Sequence, residues 1–352
     1  MKRSQLAGLV LLLLVALGTA VSVRVALACA LAAWWWALGL VLGVFINAWM
    51  HALTGGNWGL PVRETALALS RRVPWLLLGL VVIAATVGQL YPWASLPSTE
   101  WTRAMARPAF VRAWLSPTAF VIRLVLYAAA WWWVTRPASL ASKGRAAASM
   151  VVCVVATSLA SVDLLMSLVP GWFSTAFGLV VLSTQALAGA AAVVPLALLR
   201  RTWPAAREAP VSRDIGNLLL MWVMSWGYLA FMQFLVIWAE NIPRETSWYV
   251  PRLQTGWHWV GIGLWLLQLA VAFLALLFRG VKDRPGRLLP VAVLLLATTA
   301  LDCVWTVLPS VDPHSLHGWW LAPLAVLGMA LLLLGGVDIA AAETLEGRVR
   351  HA

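Results

Sequence analysis

"ASVDLLMSLVP", residues 160–170, and "TALDCVWTVLP", residues 299–309, carry one polar pattern at an offset of 139 residues. In each, an aspartate is followed four residues later by a hydroxyl and seven residues later by a proline: Asp163, Ser167, Pro170 and Asp302, Thr306, Pro309. Both copies sit in long apolar runs. A charge near the middle of a bilayer costs about 2.5–3.5 kcal/mol on insertion scales, so such residues turn inward and pair. A pattern that accepts this cost twice predicts an internal repeat with a polar cluster in each copy.

Composition supports the membrane setting. The 352 residues are 62% hydrophobic and 11% charged, against about 45–50% and 25% in ordinary soluble domains. The apolar runs are mostly about 18–25 residues long, the length a helix needs to cross a hydrocarbon core of about 30 Å. Ten helices are predicted, near residues 6–22, 25–50, 73–91, 116–135, 146–169, 174–199, 215–239, 257–278, 287–309 and 319–338. The offset between the two aspartates spans four of these helices. The expected architecture is therefore an all-α integral membrane protein with two four-helix bundles, helices 2–5 and 6–9, related as parallel repeats and flanked by helices 1 and 10. In segments these are residues 1–24, 25–170, 171–310 and 311–352.

Eighteen Lys and Arg fall in the termini and the loops at 51–72, 136–145, 200–214 and 279–287; the opposite loops hold six, and Arg123 lies within a helix. By the positive-inside rule both termini are cytoplasmic. The net charge of +12 then needs no nucleic-acid partner. The start, "MKRSQLAGLVLLLLVALGTAVS", also has the layout of a signal peptide; cleavage would leave nine helices in the same orientation.

Several chemistries lack their residues. Cys29, Cys153 and Cys303 are far apart, with no Cys-x-x-Cys, haem-attachment or iron–sulfur spacing. Of the histidines, His51 and His258 lie near helix ends, His314 and His317 in a loop and His351 in the tail, so the facing pairs that ligate haem are missing. No Walker loop or dinucleotide fingerprint occurs. No catalytic, cofactor or metal site is expected of this chain alone. The 24 tryptophans, many in clusters or near span ends, read as interface anchors and packing.

Depth counting brings the charges together. Seven residues at about 1.5 Å each place both aspartates roughly 10 Å below the outer ends of their helices. Arg123 lies six residues beyond Pro117 on the preceding helix, at a similar depth to Asp163, and Tyr127 shares its face one turn on. One reading is a buried clamp, with Ser167 bonding back to its own helix. The other is that Asp163 and Asp302 belong to proton-carrying or quinone-facing clusters. Asp302 has no evident basic partner; His258 and Gln233 are the candidates.

The runs "ATSLASVDLLMSLVPGWFSTAFG" at 156–178, "DIGNLLLMWVMSWGYLAFMQFLVIWAENIPRETSWYVPRL" at 214–253 and "LDCVWTVLP" at 301–309 resemble the F subunit of alternative complex III. That subunit belongs to the NrfD-like (polysulfide-reductase membrane-subunit) family of bacterial quinol:cytochrome c or quinol:oxidase electron transfer. "LTGGNWG" at 53–59 and "LSPTAFVIRLVLYAAAWW" at 115–132 add to the likeness, which covers helices 2–9. The resemblance implies a multi-subunit respiratory complex in the bacterial inner membrane. Its partners would be a sister NrfD-like subunit that oxidises quinol, an iron–sulfur subunit, c-type cytochrome subunits carrying haem, and a terminal oxidase. This chain would be a cofactor-free scaffold and proton conductor. Carried over by motif, Asp163 and Ser167 take proton-path positions, Arg123 and Tyr127 the arginine-helix positions, and Asp302 the second carboxylate. Two departures occur: Val169 stands where the family has an acidic residue before the proline, and Glu240 precedes Asn241 where it has a small one. The pair reads as one outer-face charge relocated. The alternatives are a stand-alone ion-coupled secondary transporter and a purely structural membrane anchor.

Overall fold

The computed structural model describes residues 3–98, 102, 107–200, 202–204, 208–312 and 318–335. Regular structure among them is helical, with no strand. The main helices are α1 Arg3–Leu17, α2 Val23–Thr54, α3 Gly59–Ser70, α4 Val73–Ala85, α5 Pro117–Val134 and α6 Lys143–Leu164. They continue with α7 Phe177–Leu199, α8 Glu208–Glu240, α9 Trp257–Leu277, α10 Pro285–Val311 and α11 Leu321–Leu334. Starts are fixed locally: Ser22, Ser116 and Ser142 accept hydrogen bonds from the backbone N–H three residues on, the N-cap role of a short hydroxyl.

Eight of these helices are long and apolar enough to cross a membrane, or nine if α3 and α4, which meet at 54°, count as one bent span. The protein is thus an all-α, membrane-embedded chain. Two sequence expectations change. The loop expected at 51–72 is largely helix α3, hidden because Arg63, Glu64, Arg71 and Arg72 break the apolar run. The tenth span is the shorter apolar helix α11; residues 336–352 lie outside the described residues, as do His314, His317 and His351.

Burial sorts the helices into layers. In α2 and α7, 89% and 83% of the apolar window is buried inside the protein, against 17–28% in α1, α5, α8 and α9. The two buried helices cross each other, and each also packs on α6 and α10. Their approach is backbone to backbone: a Cβ on Gly43 would overlap the carbonyl of Gln185, and one on Gly189 would overlap the backbone of Gly43. Asn47 stitches the crossing. Its amide donates to Gly43 O and Ala186 O at 2.7 and 2.9 Å, and its Oδ1 accepts from Trp222 on α8. α1 packs on α11, and the outer helices present apolar side chains such as Leu13, Val125 and Trp259 to their surroundings.

Many tryptophans do more than anchor and fill. The indole N–H of Trp34 donates to Leu76 O, that of Trp36 to Thr299, Trp49 to Ser139 and Trp131 to Thr157. Without water, each buried hydroxyl or carbonyl needs an internal partner, and an indole on a neighbouring helix supplies one donor with a large apolar body.

Candidate functional site

Asp163 lies in the last turn of α6 and is fully buried. Four donors converge on it. Arg123 Nε reaches Oδ2 at 2.7 Å and Nη2 reaches Oδ1 at 3.1 Å; Tyr127 Oη donates to Oδ2 at 2.6 Å and Trp114 Nε1 to Oδ1 at 2.9 Å. Arg123 and Tyr127 come from one face of α5, four residues apart, as helix periodicity requires. Trp114 comes from the short helix Pro108–Trp114, lies 4.2 Å from the guanidinium carbon, and accepts from Arg123 through its carbonyl. This bidentate arrangement, with the carboxylate fully buried and the guanidinium largely so, is the strong form of an ion pair. Ser167 donates back to the Asp163 carbonyl and accepts from Trp93. A cavity of about 450 Å³ lies beyond, lined by Trp114, Ser167, Pro170, Arg107 and Arg244; Asp163 itself is behind that wall.

Asp302 is built differently. It is 8% exposed and accepts, on Oδ2 only, from Thr184 Oγ1 at 2.7 Å and Trp226 Nε1 at 3.2 Å. Both donors are neutral, and among the described residues no ion pair to Asp302 forms. The carboxylate instead borders a cavity of about 510 Å³ that also touches Thr306, Gln233, His258, Gln185 and Tyr249. The two motif copies therefore differ in kind: one aspartate is clamped and sealed, the other faces open space.

Arg252 explains how Pro309 stays inside α10. A proline has no N–H and crowds the carbonyl four residues back, here Trp305. The Arg252 guanidinium, fully buried, donates to Trp305 O, Thr306 O and Ser310 Oγ, and also to Trp248 O. It stacks 3.4 Å from the Trp248 ring centre. Burial pulls this guanidinium well below the usual arginine range, and burial likewise pushes the Tyr249 phenol up to about 12. In the first copy the chain takes a short 3-10 turn, Met166–Leu168, before Pro170.

Of the residues expected from sequence, Arg123, Tyr127, Asp163 and Ser167 come together. Asp302, Thr306, Gln233 and His258 share the second cavity, but neither Gln233 nor His258 bonds the carboxylate. Gln233 donates to Tyr249 Oη and accepts from Ser174, because it lies seven residues beyond Trp226 on α8. His258 sits in the first turn of α9 with Nδ1 against Thr255 O. Glu240 is exposed at the end of α8, and Val169 is half-buried in the turn after α6. Trp114, Thr184, Trp226 and Arg252 were not anticipated. The "VPRL" of Arg252 lies between spans, and its only signal was a proline in the neighbouring helix that lacked a partner for its freed carbonyl. Among the described residues no group of three or more His, Cys, Asp or Glu side chains gathers as a metal site would require. No family model matches the chain, and no curated protein matches it either.

Proposed function

We propose that this chain is a cofactor-free membrane subunit of a quinol:cytochrome c or quinol:oxidase oxidoreductase complex of the alternative complex III type. In this reading it scaffolds the complex in the bacterial inner membrane, termini cytoplasmic, and exchanges protons at a buried carboxylate. Helices α2–α6 and α7–α10 are then the two repeated bundles. The observation that carries the proposal is the contrast between the two copies of the motif. Asp163, with four donors and a fixed counter-ion, serves as a structural clamp; Asp302, with two neutral donors and a cavity before it, serves as the exchanging site. The family resemblance supplies the respiratory setting, with haem, iron–sulfur clusters and quinol held by partner subunits.

The structural-anchor reading is favoured by one observation, the complete satisfaction of Asp163. The two are separated by tagging the chain in its native membrane, isolating it, and measuring haem absorbance and proton release per electron. Asp302→Asn keeps size and hydrogen bonding but cannot titrate, so the complex should assemble with its haem while the proton ratio falls. Asp163→Asn should instead reduce assembly. Isolation without any haem would remove the complex, and an unchanged ratio in Asp302→Asn would leave only the anchor.

A further inference from the structure

Two buried amides, one of them in the wall of the Asp302 cavity, have no hydrogen-bond partner in the protein. Gln185 on α7 is 3% exposed and lines the Asp302 cavity, with both Oε1 and Nε2 unbonded. Gln268 on α9 is fully buried, and both ends of its amide are unbonded too. A buried polar group is costly to leave unpaired, so each of these amides calls for a partner.

They lie at one level. Gln185 is eight residues into α7 and Asp302 nine from the end of α10, each roughly 12–14 Å in at about 1.5 Å per residue. Gln268, eleven residues into α9, sits slightly deeper, in the π-helical stretch Trp265–Val271. Leu264 lines the cavity, and Gln268 follows it by one wide turn on the same face. π-helical turns inside α-helices concentrate at functional positions. Water occupies a buried site when the site is roomy and offers two to four polar partners; Asp302, Thr184 and Gln185 offer that in the cavity wall, and the Gln268 amide lies one turn beyond the lining residue Leu264 on α9.

We propose that ordered water runs from Asp302 past Gln185 to Gln268, and that these two amides position the chain of water for proton exchange at the carboxylate. Each amide has two donors and an acceptor, so it orients water on either side without titrating. The step balances simply: a hydronium gives its proton to the Asp302 carboxylate and becomes water, and the reverse returns the proton to the next water. The purpose of this chain rests on the proton-exchange reading above; its existence does not.

The test is radiolytic labelling of the protein in lipid nanodiscs in ¹⁸O water, read by mass spectrometry. Cys303, Trp226 and Trp265 line the cavity, whereas Trp49 and Trp131 are fully buried elsewhere. Uptake of ¹⁸O at the cavity residues should exceed the controls roughly tenfold, because radicals form only where water is. Gln185→Leu and Gln268→Leu should lower that uptake, and Ala230→Trp, which fills the cavity, should abolish it. If Ala230→Trp does not fold, the leucine variants decide alone. Uptake at control level in the native protein, or leucine variants that melt higher with uptake unchanged, would overturn the water chain. Absent uptake together with a lowered proton ratio in Asp302→Asn would discard the water and keep the exchange; strong uptake with an unchanged ratio would do the opposite.

Discussion

Arg123→Leu is the sharpest probe of the Asp163 clamp. The substitution removes two charge-assisted bonds, at 2.7 and 3.1 Å, each contributing about 1.5–3 kcal/mol. It leaves a carboxylate of zero exposure with only the Tyr127 and Trp114 donors. Stranding one partner of a buried pair costs about 3–5 kcal/mol, whereas replacing both by apolar groups is often near neutral. Arg123→Leu should therefore lower the folded-to-unfolded ratio roughly 10²- to 10⁴-fold, and Arg123→Leu with Asp163→Leu should recover most of that loss. The assay is SDS-driven unfolding in mixed micelles, followed by tryptophan fluorescence, for wild type, both single variants and the double. Losses that add across the cycle to within about 0.5 kcal/mol would show that the pair does not act as a unit, and the clamp would fall.

The glycine crossing gives a second expectation: Gly189→Ala should collapse the yield of folded protein, because its Cβ would meet backbone that has no rotamer to yield. Gly144→Ala, where a Cβ meets nothing within 4 Å, should be neutral or stabilise the helix by about 0.5–1 kcal/mol, and equal yields for the two would refute the backbone contact. For orientation, single cysteines placed at 310–317 should react with impermeant reagents from outside intact cells, and cysteines at 279–287 should be protected; the reverse pattern would invert the placement of both carboxylates.

What could be read from the chain depended on dimension. Position along the bilayer normal is encoded by counting residues, so the long spans were legible, as was the meeting of Arg123 with Asp163 on consecutive helices. Which helices touch laterally is not encoded that way. Thr184 and Trp226 reach Asp302 from α7 and α8, more than seventy residues away, and no periodicity marks them. Gln185 was hidden in an Ala- and Gly-rich run that reads as small-residue packing, and Trp114 lies outside any span. Helix α3 escaped because a helix whose buried Glu64 is met by Arg200 need not be wholly apolar.

The glycine contact between α2 and α7 also bears on movement. A transporter that works by alternating access rocks one repeat against the other around its binding site. Here α2 and α7 touch through their main chains, with Asn47 bonded across the seam; in the proposed repeat they open the two bundles. Tilting one against the other would break the Asn47–Ala186 hydrogen bond and drive closely packed backbone into overlap. The joint behaves as a weld rather than a hinge. The close contact holds the centre of the fold still, and any change of state in this chain has to work around it.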